Sequence, residues 1–159
     1  MYWDGSPLSY LNYLTVKSFN KYNPEWKIVV YIPKKVTTTI SWKTADQKIK
    51  YNGKDYFYKL NNIENVTIQK VCLESIGFKS NASEVIKSDY FRYYILEKYG
   101  GLWSDFDIIY TSSVEDKMNF KNESVIFKCC AYTWWKNKRT KIELESEKYY
   151  PVGLFLSVK

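Results

Sequence analysis

The chain has no histidine among its 159 residues. That absence removes a His-based triad and any Cys/His zinc site. Cysteine is scarce as well: Cys72, Cys129 and Cys130 form an odd set with no C-x-x-C spacing. Such a set is no disulfide framework and fits a reducing compartment. No apolar run reaches transmembrane length and no signal peptide opens the chain, so the expected localisation is cytoplasmic. The sequons at Asn65, Asn81 and Asn122 are then chance occurrences in an Asn-rich chain. There is no internal repeat, low-complexity stretch or linker, and the length predicts a single domain over residues 1–159.

Aromatic residues are abundant, at 19%, and most are tyrosine. A tyrosine excess suits sugar or base stacking, and equally an amphipathic core-and-rim role. The net charge of +7 favours anionic partners such as nucleotide diphosphates, nucleic acid or a membrane surface. The lysines are spread, however, and only Lys136, Lys138, Arg139 and Lys141 cluster. A solvated surface explains the rest. No DNA- or RNA-binding motif is present, so no nucleic acid is expected as a partner.

The opening Met1-Tyr2-Trp3-Asp4-Gly5 reads as the end of a first strand and a turn. Ser6 is placed to cap a helix with Pro7 at its first position. Leu8, Leu11, Leu14, Val16, Phe19 and Tyr22 roughly follow helical spacing, and Asn23-Pro24 closes the helix. Ile28 to Ile32 reads as a buried strand, which completes a βαβ unit of the parallel type. Asn52-Gly53 lies between Lys48–Tyr51 and Asp55–Tyr58, and predicts a type I′ hairpin. Val66–Val71 alternates like a strand. Asn81 and Glu84 predict a helix from near Ala82 to about Tyr99. Its stripes (Ile86, Tyr90, Tyr93 and Glu97; Phe91, Ile95 and Tyr99) predict a largely packed helix. A last strand within Tyr149–Val158 is expected to pair with Val125–Cys129.

The most informative stretch is Ser88 to Tyr110. It reads as the end of that helix, a glycine stop at Gly100 and Gly101, and a short strand ending in two carboxylates. In a strand, residues i and i+2 share a face. Asp105 and Asp107 are therefore expected to aim oxygen ligands at one hard cation, magnesium or manganese. Asp89 and Arg92 lie three apart and share a helix face. Gly101 lets backbone approach a ligand closely. Arg92 and Asp89 also have a bland reading, as a structural ion pair.

This string resembles the S-D-x-x-R-x-x-x-L-x-x-x-G-G-x-[YW]-x-D-x-D signature of the DXD-containing glycosyltransferases. These include the family 32-like, mannosyltransferase-like sugar-binding region and, more distantly, the glucosylating bacterial toxins. Ser88, Asp89, Arg92, Leu96, Gly100, Gly101, Trp103, Asp105 and Asp107 meet every fixed position. The opening Trp3-Asp4-Gly5-Ser6-Pro7 loosely resembles that family's Trp-Gly-Gly-like corner.

The resemblance implies an α/β fold: a GT-A-type, Rossmann-like single domain with a mostly parallel central sheet, flanking helices and a β-hairpin insertion. It implies a retaining transferase that takes a nucleoside-diphosphate sugar as donor, Mn²⁺ (or Mg²⁺) as cofactor, and an unspecified glycan, lipid or protein as acceptor. By the same resemblance Asp107 ligates the metal, Asp105 faces the ribose, sugar or metal, and Asp89 and Arg92 contact the donor. Trp103 lines the donor pocket, and Trp3 stacks on the base. Three other classes compete: a non-catalytic nucleotide-sugar-binding module, a haloacid-dehalogenase-like phosphatase, and a basic nucleic-acid- or partner-binding domain. The phosphatase signature wants Thr or Val soon after its second Asp, where this chain has Ile108-Ile109.

Overall fold

The structure is a computed structural model that describes residues 1–35, 51–79, 82–116, 124–126 and 154–157. The β-branched run from Ile28 forms β1 (Ile28–Pro33), which pairs in parallel with β2 (Val66–Val71). On the other side of β1, Tyr2 makes a parallel bridge to Tyr31. Main-chain bonds from Trp3 N to Tyr31 O (2.9 Å) and from Tyr31 N to Met1 O (3.0 Å) fix that edge. Between these strands lies α1 (Tyr10–Tyr22), so the predicted βαβ unit is present.

The rest of the sheet structure departs from the expected single, mostly parallel sheet. β3 (Gly101–Ser104) pairs antiparallel with β5 (Leu154–Ser157), which also pairs antiparallel with β4 (Val125–Ile126). The described residues thus hold a two-stranded parallel sheet and a three-stranded antiparallel one. The expected pairing of the last strand with the Val125 segment is present, and β5 also covers β3.

Two helices sandwich the parallel strands. Val30 and Tyr31 are adjacent in β1, so their side chains leave opposite faces. Val30 joins Leu8, Val16, Phe19, Leu60, Phe106, Tyr110 and Val114 in the cluster under α1. Tyr31 joins Tyr2, Leu73, Phe91, Leu96 and Trp103 in the cluster under α2 (Glu84–Tyr99). Ring contacts tie this second cluster, with Phe91 5.1 Å from Tyr31, 5.7 Å from Tyr2 and 6.3 Å from Trp103.

Several local expectations shift for identifiable reasons. Ser6 does not cap α1, because its N–H and hydroxyl both donate to Asp4 Oδ1 (2.9 and 2.6 Å). Ser9 caps instead, its Oγ accepting from Asn12 N at 3.2 Å. The cap of α2 is likewise Ser83, whose Oγ accepts from Ile86 N. The second hairpin arm is not a strand: Phe57–Asn62 forms a 3₁₀ helix. Gly53 lacks the positive φ that a type I′ turn requires. A Cβ there would meet the end of the exposed Tyr51 side chain at 2.6–2.8 Å, so that ring would have to shift to accept one. The first arm, Lys48–Lys50, lies outside the described residues.

The packed-helix expectation for α2 also fails on one side. Ile86, Tyr90, Tyr93 and Tyr99 are exposed, whereas Glu84, Lys87, Ser88, Phe91, Arg92 and Leu96 form the buried face. The first turn of that face is ionic. Lys87 Nζ donates to Glu84 Oε1 (2.7 Å), and the Tyr2 hydroxyl donates to Glu84 Oε2 (2.8 Å). Burial, then this bond to Glu84, pushes the Tyr2 phenol above its ordinary range.

Removing one partner of a buried pair leaves an uncompensated charge, at a cost of about 3 kcal/mol. Lys87→Met is therefore expected to lower the denaturant midpoint by that equivalent. Lys70→Met, at an exposed position, is expected to change stability by less than about 0.5 kcal/mol. Equal midpoints for the two variants in urea titrations would contradict the structural role of the pair.

Candidate functional site

β3 ends at Ser104, and Asp105-Phe106-Asp107 continues as a turn rather than as strand. The strand alternation expected to align the two acids therefore does not operate. What fixes them is the residue between. The Phe106 side chain is buried under α1, and its carbonyl accepts two hydrogen bonds from that helix. Asn12 Nδ2 donates at 2.9 Å and the Thr15 hydroxyl at 2.7 Å. Beyond the turn the chain stays against α1: Tyr110 N donates to Ser18 Oγ (3.1 Å), and Val114 N donates to Asn23 Oδ1 (2.8 Å).

With Phe106 anchored, Asp105 is half-buried and Asp107 is exposed. The Trp103 indole N–H donates to Asp105 Oδ1 at 2.8 Å. Arg92 lies 3.6 Å from the same oxygen and 2.9 Å from Asp89 Oδ1. The guanidinium also sits over the Trp103 ring, 5.5 Å from its centroid. Arg92 is 3% exposed while its acid partners are partly open to solvent, so these ion pairs are only partly shielded from screening. Burial pushes the Asp105 carboxyl above the usual carboxylate range. Arg92 and the Trp103 N–H pull it back down, while Asp107 and Asp89 add to the rise.

Asp89, Arg92, Trp103 and Asp105 thus meet as one cluster, with Asp107 beside it. Trp3 approaches from the other side. Its ring packs 5.1 Å from Phe106, and its N–H donates to the Ser6 carbonyl (2.6 Å). Trp103 is 1% exposed and packs in the core, where its N–H holds Asp105 and its ring lies under Arg92. Gly101 stands at the start of β3, about 13 Å of strand from the acids that follow its end. Its φ of 97° explains the glycine, and nothing approaches its Cβ position.

The donor set fits a hard divalent ion. Asp107 makes no ion pair or hydrogen bond among the described residues, and Asp105 commits only Oδ1. No third acid joins them among the described residues. Two carboxylates with the remaining positions left to water and phosphate oxygens is how magnesium-type ions are commonly bound.

Four lysines add to this edge and were not legible as a group. Lys34, Lys35, Lys79 and Lys87 line a small pocket with Pro33 and Val71, at the C-terminal ends of β1 and β2. Lys34 and Lys35 follow β1, whereas Lys79 and Lys87 come from the loop before α2 and from α2, so only the assembled fold gathers them. The one cluster visible in sequence, Lys136 to Lys141, lies outside the described residues. A larger cavity of about 180 Å³ opens at the opposite ends of the strands, against Ile28, Val29, Gly100 and Gly101. None of the acids lines it, and open α/β sheets bind ligands at the C-terminal edge instead.

A hydrogen bond to a charged group contributes about 2 kcal/mol. Trp103→Phe is expected to cost about that much, and most of the loss is expected to disappear in an Asp105→Ala background. A double-mutant cycle on unfolding free energies measures this coupling. Additive effects would show that the indole acts through packing alone.

Comparison with curated proteins and with solved structures gives no match. Residues 12–125 match the family model described as the glycosyltransferase sugar-binding region containing the DXD motif. That span takes in most of α1, the parallel pair, the arginine-bearing helix and the acid turn. The chain belongs to the family of DXD-motif glycosyltransferase sugar-binding regions.

Proposed function

We propose that this protein is a metal-dependent glycosyltransferase that binds a nucleoside-diphosphate sugar at the acid turn and moves the sugar to an acceptor with retention. The observation that carries the reading is the pairing of an exposed Asp107, without an ion pair or hydrogen bond among the described residues, with an Asp105 already fixed by Trp103 and Arg92. One carboxylate is oriented by the fold and the other is left for a ligand.

Each residue has a task that follows from its surroundings. Asp107, with Asp105 Oδ2, would hold Mn²⁺ or Mg²⁺. When bound, such an ion stabilises negative charge on the departing diphosphate. Arg92 is buried and held by two acids, so it is preorganised to add positive potential as that charge develops. Lys34, Lys35 and Lys79 extend the same potential along the sheet edge. Asp89 is half-exposed and accepts from Arg92 through one oxygen, which leaves the other for a ribose or sugar hydroxyl. Trp3, half-buried at the corner, offers a ring edge for a base.

A ligand selective for the folded state raises its melting point. Manganese with a panel of nucleoside-diphosphate sugars is expected to raise Tm, and chelator or Asp107→Ala is expected to abolish the rise. Both carboxylates must be ionised to hold the cation. Because burial raises Asp105, the shift is expected to fade as pH falls, beginning above about pH 4, the ordinary carboxyl range. A shift that is equal in chelator, or in the Asp107 variant, overturns the metal site. Donor binding without release of nucleoside diphosphate in the presence of an acceptor library would leave a binding module in place of an enzyme. The anomeric configuration of any product, read by NMR, tests retention.

A further inference from the structure

The N-terminal end of α1 carries an aromatic surface that the donor site does not use. Tyr10, Tyr13 and Tyr56 form a three-ring cluster. The centroids of Tyr10 and Tyr13 lie 6.1 Å apart at 29°, those of Tyr13 and Tyr56 6.1 Å apart at 30°, and those of Tyr10 and Tyr56 5.2 Å apart at 54°. Lys54 and Lys59 place their ammonium groups 5.7 and 5.3 Å from the Tyr56 ring. Tyr10 is 49% exposed and its neighbour Leu11 70%.

Two hydrogen bonds, one of them to a side-chain carboxylate, hold this surface in place. Tyr56 N donates to the Leu8 carbonyl (2.9 Å), and Leu8 N donates to Asp55 Oδ1 (2.8 Å). The loop bearing Tyr56 is thereby pinned to the approach of α1. The helix that carries the surface also touches the acid turn. Asn12, in the same helical turn as Tyr10 and Tyr13, donates to the carbonyl of Phe106, between Asp105 and Asp107.

We propose that this tyrosine platform docks the acceptor and that the acceptor is a carbohydrate chain; the proposal rests on the reading of the acid turn as a sugar-transfer site. A pyranose has a face of C–H groups with slight positive charge, which complements the negative face of an aromatic ring. Its hydroxyl rim needs donors and acceptors. The phenol hydroxyls of Tyr10, Tyr13 and Tyr56 make no hydrogen bond among the described residues, and Lys54 and Lys59 supply N–H donors beside them. Tyrosine meets both needs at low entropic cost, because it has only two side-chain torsions. A membrane-inserting face would carry Trp, Phe and Leu, and Leu11 is the one such residue here.

The test probes immobilised neutral and acidic oligosaccharides with the full chain, in the absence of donor and metal. The wild type is expected to be retained on at least one of them. Asp107→Ala is expected to be retained equally, and Tyr10→Ala to bind roughly tenfold more weakly. Tyr10 is a half-exposed surface residue, so the variant's melting temperature checks its fold. Lys54→Glu, at an exposed position, probes the same face independently and is expected to weaken retention as well. Retention on no oligosaccharide, or retention unchanged in both variants, overturns the proposal. So does binding to anionic phospholipid vesicles that Tyr10→Ala abolishes while oligosaccharides are ignored. The donor-dependent Tm shift separates the two readings: donor binding without glycan binding refutes the platform alone, and glycan binding without donor binding refutes the transfer site alone.

Discussion

The guanidinium of Arg92 is the hinge of the arrangement. It is almost fully buried, yet it contacts two carboxylates and an indole face. A buried cation is tolerated only when its environment compensates it. The compensation comes from three places in the chain: Asp89 on the same helix, Trp103 in β3, and Asp105 in the turn after β3. Helix, strand and turn must therefore lie in fixed relation for the charge to be paired. The same requirement fixes the first acid of the turn.

Much of this was legible because its signals were local. Strands β1 and β2 follow from two apolar or alternating β-branched runs, and β2 has the expected bounds. The glycine stop after α2 is also as expected, with Gly100 N donating to the Leu96 carbonyl. Asp89 and Arg92 do share a helix face and do pair. Trp103, given a donor-lining role by the resemblance, is also a buried strut that holds Asp105. Gly101, expected to let backbone approach a ligand, stands at the start of β3.

What was not legible depended on contacts between distant segments. Nothing in Asn12 or Thr15 announces a partner some ninety residues on. Ser6 looks like a helix cap until Asp4 is seen to take both of its donors. The four lysines at the sheet edge meet only after β1, the loop before α2 and α2 itself are assembled. The exposed tyrosines of α2 were misread because aromatic periodicity alone does not say which stripe faces the core. The polar stripe of Glu84, Lys87, Ser88 and Arg92 is the one that is buried, because each of its charges finds a partner there.

The middle residue of the acid turn has a consequence of its own. In the motif as usually written that position is a free letter, and here it is the most constrained of the three. Its ring is a plug in the hydrophobic interior and its carbonyl is gripped by two side chains of the first helix. The acids on either side inherit their placement from it. In this chain, drift in the interior would be transmitted outward as misalignment of the two carboxylates, so whatever constrains the acids at the rim also constrains the plug between them.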